Sequence, residues 1–179
     1  SETLSAYNNV TVIHEDILKV DIDRIVQEKN NGRPIKVVAN LPYYITTPII
    51  MKFIDSDVLP DKMVVMLQKE VASRLSASVG SRDYGSLTVF LNYYYDIKKL
   101  FDVSRNCFMP KPNVDSAVVC FDLKKEREKV LDISLFKKLV RDSFSYKRKT
   151  IRNNLKSYDL KIVESVLLKH GFDLGVRAE

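Results

Sequence analysis

Glycine is scarce in this chain: five among 179 residues, at positions 32, 80, 85, 171 and 175. No Gly-x-Gly occurs, so the sequence holds no turn of the kind that lets a backbone close on a cofactor. Cysteine is scarcer still. Cys107 and Cys120 are too few for a disulfide framework and too far apart for a zinc pair, which fits a reduced, cytoplasmic chain. His14 and His170 stand far from each other and from either cysteine, so no metal-ligand spacing is present and no metal is expected. No apolar run approaches the ~18 residues that span a bilayer, and the first residues are polar rather than a basic and then apolar leader. Membrane insertion and secretion are therefore not expected, and no internal repeat or low-complexity segment is visible.

What is present is a composition near the globular average, 45% hydrophobic and 29% charged, in a length that suits one domain or one domain with a small appendage. The net charge of +6 is unevenly placed. Between Lys124 and Lys161 there are 13 Lys and Arg against 5 Asp and Glu, so the rest of the chain is slightly acidic. A block of this kind is either a solvated helical face or a phosphate-binding surface.

The first 123 residues alternate short apolar runs with helical patterns, the rhythm of an α/β sheet. Strands are predicted at Val10 to Ile13, Ile35 to Ala39 and Lys62 to Leu67. Helices are predicted at Pro48 to Ile54, with Thr47 as N-cap and Pro48 in the first helical position, at Lys69 to Ser78, and at Ser86 to Tyr95. Two more strands, Ile97 to Val103 and Ser116 to Leu123, follow with no helix between them, which predicts an antiparallel addition to a parallel sheet. Beyond Lys124 to Lys129, a charged linker or strand end, Leu135, Phe136, Leu139, Val140 and Phe144 form one helical stripe. Helical patterns at Thr150 to Leu155 and Leu160 to His170 complete a small α-helical unit. The expected domains are 1–123 and 124–179.

The strand Ile35 to Ala39 stops at a polar, proline-stiffened turn, Asn40-Leu41-Pro42-Tyr43. In an open α/β sheet the carboxyl ends of strands are where ligands bind; an Asn-x-Pro turn that merely ends a strand, with Tyr43 as an ordinary packed aromatic, is the other reading. Asn40-Leu-Pro-Tyr resembles the Asn/Asp-Pro-Pro-Tyr motif of adenine-N6 methyltransferases. The likeness extends through Asn40-Leu-Pro-Tyr-Tyr-Ile-Thr-Thr-Pro-Ile-Ile50, Gln68-Lys-Glu-Val-Ala72, Asp83-Tyr-Gly-Ser-Leu87, Phe108-Met-Pro-Lys-Pro-Asn-Val-Asp-Ser-Ala117, Lys147-Arg-Lys-Thr150 and Asn153-Asn-Leu155. In that order, over nearly the whole chain, these segments resemble the small-subunit ribosomal RNA adenine dimethyltransferase family.

The resemblance implies a partial Rossmann-like class I methyltransferase sheet with a helical C-terminal domain. It also implies N6-dimethylation of two adjacent adenosines by S-adenosylmethionine during small-subunit maturation, with ribosomal RNA and the pre-small subunit as partners and a monomeric enzyme. Asn40, Leu41, Pro42, Tyr43 and Phe108 would form the catalytic pocket, and Asp16, Ile17 and Asn40 would meet the cofactor. The residues leave alternatives: Phe108 as a core aromatic, Asp16 as a cap or solvated turn acid. Gln68 and Glu70 are expected to support the fold.

Lys147, Arg148, Lys149 and Arg152 are the candidate RNA contacts, with Lys137, Lys138 and Arg141 close enough along possible helix to share one ribbon of phosphates. The family's glycine-rich turn and ribose-binding acid precede the region that starts here at Ser1, and its helical domain continues past Glu179. The chain is thus expected to be truncated and to bind S-adenosylmethionine poorly alone. A binding module without activity, or a relative acting on large-subunit ribosomal RNA, are the competing functions.

Overall fold

The computed structural model describes residue 4 and residues 6–179. Its centre is a four-stranded sheet in the order β1-β2-β4-β3, built from β1 (Lys36–Asn40), β2 (Lys62–Gln68), β3 (Tyr95–Val103) and β4 (Ser116–Leu123). β1 and β2 are parallel, with Asn40 opposite Met66; β4 runs antiparallel to both β2 and β3. The antiparallel addition expected from two strands without an intervening helix is present.

β2 alternates strictly, with Met63, Val65 and Leu67 buried, so one face of the sheet takes the packing. Against that face lie Ile49, Ile50 and Ile54 of α2 (Thr46–Ile54), Ala72 and Leu75 of α3 (Lys69–Leu75), and Leu91 and Tyr94 of α4 (Ser86–Tyr94). Burying apolar surface is worth about 25 cal/mol per Å², and this cluster is the largest among the described residues. α1 (Ile22–Asn30) starts where the Asp21 carboxylate accepts the Arg24 N–H at 3.0 Å, and packs Val26 into a smaller cluster with Val20 and Ile22.

Several elements depart from expectation, among them β3, which starts at Tyr95, two residues before Ile97 and at the residue expected to end α4. Val10 to Ile13 is not a strand: Val10, Val12 and Ile13 are exposed, and among the described residues no strand flanks β1 on its outer edge to pair with them. α2 begins at Thr46, without a side-chain N-cap, because a 3₁₀ turn over Tyr43–Ile45 runs straight into it. Pro48 still falls in the first turn, where no intrahelical acceptor awaits its missing N–H. α3 ends at Leu75, three residues early.

α5 (Ile133–Ser143), α6 (Ile151–Asn154) and α7 (Leu160–Lys169) follow the charged linker. Of the expected stripe on α5, Phe136 packs on Phe90 and Tyr93 while Leu139 joins a cluster around Ile151, Leu155 and Leu174; Leu135 is exposed instead. No helix among the described residues is long and apolar enough to cross a membrane.

Candidate active site

Topology brings two distant segments together. β4 begins, and β3 ends, at the edge where the parallel strands β1 and β2 finish, so the loop 104–115 lies beside the turn after β1. Asn40, Leu41, Pro42 and Tyr43 form one wall of a pocket of about 290 Å³, and Phe108, Pro110 and Pro112 form the other. The expected catalytic residues Asn40, Leu41, Pro42, Tyr43 and Phe108 all line this cavity.

The first wall is held at several points. The Leu41 N–H donates to the Met66 carbonyl at 3.0 Å, continuing the ladder one residue past β1, and the Leu41 side chain is buried in the main core. Pro42 then turns the chain. Its carbonyl accepts from the Ile45 N–H at 3.2 Å and from the Thr46 hydroxyl at 3.0 Å, with Thr46 itself buried. The Tyr43 hydroxyl meets the Ser116 hydroxyl at 2.6 Å, and Ser116 is wholly buried at the start of β4. Among the described residues no hydrogen bond engages the Asn40 carboxamide or the Leu41 carbonyl. The opposite wall is pinned where Arg105 donates its N–H to Asp115 at 2.9 Å and its guanidinium to the Asn113 carbonyl at 3.1 Å.

Asp16 and Ile17 lie outside the lining of this pocket. One Asp16 carboxylate oxygen accepts the Leu18 N–H at 3.0 Å in a tight turn, and Ile17 is half-buried against the core. Gln68 makes no capping bond to α3; that junction is closed by the Lys69 N–H on the Asp115 carbonyl at 3.0 Å. Beside it Lys69 and Lys99 flank Asp102 at 2.8 and 3.1 Å and hold its carboxyl below the usual carboxylate range.

The basic segment is not one continuous helical ribbon. α5 stops at Ser143 and α6 starts at Ile151, leaving Lys147, Arg148 and Lys149 on a loop and Arg152 at the start of α6. Lys137 pairs with Asp55, and Lys138 with Asp142 at 3.4 Å, so those two charges are neutralised within the fold. Lys147 donates to the Arg82 carbonyl at 2.5 Å, tying the loop to the segment before α4. Arg148, Lys149 and Arg152 are exposed.

Sequence reading gave no role to Ser116, Thr46, Asp115 and Asn154, which it met only as members of the quoted segments and which make the hydrogen bonds that hold these pieces in place. Ser116 and Tyr43 are 73 positions apart, and nothing local marks such a partner. Among the described residues no three His, Cys, Asp or Glu are grouped as metal ligands.

A mixed sheet of this order, with a polar turn at the end of a parallel strand facing an aromatic loop, belongs to the Rossmann-like methyltransferases. The dimethyladenosine transferase of Plasmodium falciparum superposes with a TM-score of 0.74 at 30% identity, over 94% of this chain and 57% of that one. The 23S rRNA methyltransferase ErmE shares the fold, with a TM-score of 0.73 at 22% identity over 99% of this chain and 69% of that one.

The family model for ribosomal RNA adenine dimethylase matches residues 1–177, and the chain belongs to that family. It is 50% identical over 179 residues to the ribosomal RNA small subunit methyltransferase A of Lachnoclostridium phytofermentans, covering 99% of this chain and 62% of the relative. With the same-named protein of a Geobacillus species it is 52% identical over 157 residues, or 86% and 54% of the two lengths. The chain thus spans little more than half the length of these relatives.

Proposed function

We propose that this chain carries the adenosine pocket and an RNA-binding loop of a cytoplasmic enzyme that dimethylates N6 of two adjacent adenosines in small-subunit ribosomal RNA. The observation that carries the reading is the convergence of the Asn40–Tyr43 turn and Phe108 on one cavity, with no hydrogen bond among the described residues taking up the Asn40 carboxamide or the Leu41 carbonyl. The division into a catalytic unit, 1–123, and a basic helical unit, 124–179, follows from the same reading, with the maturing small subunit as partner.

The chemistry requires acceptors. The lone pair of adenine's exocyclic amine is delocalised into the ring, and a site that binds both N6 hydrogens favours the tetrahedral nitrogen that can attack. The Asn40 carboxamide oxygen and the Leu41 carbonyl supply those two acceptors, in positions fixed by Leu41 on Met66 and Thr46 on Pro42. Tyr43 and Phe108 hold the extruded base between them, each stacked face contributing about 1–3 kcal/mol. S-adenosylmethionine, when bound, supplies an electrophilic methyl group. Asp16, Ile17 and Asn40 would hold it: one Asp16 oxygen accepts the Leu18 N–H, and the second would be available to the cofactor's adenine amine. Arg148, Lys149 and Arg152 would meet the RNA backbone.

Single-turnover methyl transfer to unmethylated small ribosomal subunits tests the reading. The assay uses the chain alone and the chain joined to the residues of the Lachnoclostridium relative that lie outside the match. Transfer by the joined protein is expected, and Asn40→Ala should slow it by roughly 10²-fold, as for loss of one preorganised transition-state contact. RNA binding without transfer in either form would favour a binding module instead, and unchanged speed in Asn40→Ala would remove that residue from the site.

A further inference from the structure

Asn154 is one of four buried polar or charged residues among those described, and its side-chain hydrogen bonds all go to the last residue of α5 and the loop that follows it. Its amide nitrogen donates to the carbonyls of Ser143 at 2.7 Å, Tyr146 at 3.3 Å and Lys149 at 3.4 Å, and its oxygen accepts the Tyr146 N–H at 3.0 Å. A buried amide is costly unless satisfied, and here these bonds to backbone atoms satisfy it. The side chain is therefore matched to the loop backbone rather than to the core.

Apart from Asn154, the loop is held by the Ser145 N–H on the Asp142 carbonyl at 3.1 Å, the Lys149 N–H on the Tyr146 carbonyl at 2.8 Å and Lys147 on the Arg82 carbonyl at 2.5 Å, none of which involves the Arg148 side chain. From Ser145 to Lys149 every side chain is exposed, and three consecutive cations repel one another. α6, which carries Asn154, is itself anchored where the Ile151 and Arg152 N–H groups donate to the Val176 and Leu174 carbonyls at 2.8 and 3.0 Å. Charges on a loose loop must be ordered when they bind, whereas charges held in one shape avoid that entropic loss.

We propose that Asn154 is a positioning residue that preorganises loop 144–150, so that Arg148, Lys149 and Arg152 present one surface to an RNA phosphate backbone. This rests on the reading of that loop as an RNA contact. It assigns to a buried amide, which touches no RNA, control over how well the exposed cations bind.

The test is equilibrium binding of the chain to a fluorescein-labelled small-subunit ribosomal RNA transcript across a salt series. Asn154→Ala should weaken binding about tenfold through lost preorganisation and lower the salt slope by about 1. Its exposed neighbour is the control: Asn153→Ala, which loses only a bond to Thr150, should leave both unchanged. Neutralising Lys147, Arg148 and Lys149 to Gln should lower the slope by about 2. In that background Asn154→Ala should add less than about twofold, because residues acting through one contact are not additive.

Wild-type binding by Asn154→Ala, or a full tenfold loss repeated in the neutralised background, overturns the inference; the second outcome marks a purely structural residue. Should Asn154→Ala fail to fold, Asn154→Ser keeps one donor and one acceptor, and an intermediate loss with the same non-additivity is expected. If neutralising the three cations leaves affinity and slope at wild-type values, the RNA reading of the loop falls and the inference with it. The adenosine pocket is judged separately by methyl transfer.

Discussion

Replacing Tyr43 by Phe isolates the least expected contact in the pocket. The ring is retained, so a base can still stack on it, and only the hydroxyl at 2.6 Å from Ser116 is lost. Ser116 is fully buried, and its hydroxyl has no water to turn to. Leaving such a group without its partner costs about 1–3 kcal/mol, whereas replacing both partners by apolar groups is nearly neutral. Tyr43→Phe should therefore destabilise the chain by about 1–3 kcal/mol, or about 2–4 °C in melting temperature for each kcal/mol at this size. In a Ser116→Ala background the same change should cost close to nothing. Thermal and urea unfolding of the four proteins closes the cycle. RNA binding, read in parallel, should fall far less in Tyr43→Phe than in Tyr43→Ala, which also forfeits a stacking face worth about 1–3 kcal/mol. Equal destabilisation by Tyr43→Phe in both backgrounds would show that the two hydroxyls do not depend on each other, and the account of how the ring is oriented would fail.

Further measurements address the acid limb and the cofactor. Asp142 is held below the usual carboxylate range, first by the Tyr158 hydroxyl at 2.6 Å and then by Lys138, so its folded pKa lies under its unfolded one. Its contribution is present above the unfolded value of about 3.9 and is lost as pH falls through the lowered folded pKa; Asp142→Asn should flatten the fall of melting temperature in that window, and an unaltered acid limb would rule the network out. Calorimetry of the 179-residue chain with S-adenosylmethionine should give weak binding, since no glycine lines the Asn40 pocket. Micromolar affinity would show that Asp16 and Asn40 suffice by themselves.

Much of the fold was legible because the apolar pattern had a clear period. β2 and β4 were placed to within a residue, β2 because its alternating burial leaves its imprint on sequence and β4 because it is a short, almost continuously buried apolar run, and α4 was separable from a strand by length and spacing. Val10 to Ile13 misled because an apolar run specifies a strand only when a neighbouring edge exists to pair with it. Asn40, Leu41, Pro42, Tyr43 and Phe108 could be named together only through the family resemblance, because an Asn-x-Pro turn and an aromatic residue are equally explained by the end of a strand. The supports could not. Ser116 holds Tyr43 across 73 positions, and Asn154 acts on backbone atoms, whose arrangement no side-chain pattern records.

The two sides of the pocket belong to different stretches of covalent chain, joined by the hydroxyl pair of Tyr43 and Ser116. The cavity therefore works like a calliper with one fixed jaw and one hinged on a hairpin. The fixed jaw inherits its position from β1, while the other takes its setting from the β2–β4 register that places Ser116 opposite Gln68. Residues added near the middle of loop 104–115 would deepen or roof the slot without altering its gauge. A one-residue slip of β4 would swing Ser116 to the opposite side of the sheet and release the jaw altogether. Width and depth can thus be changed independently, which gives a scaffold of this kind a simple route to accepting differently presented bases without redesign of the atoms that meet the reacting nitrogen.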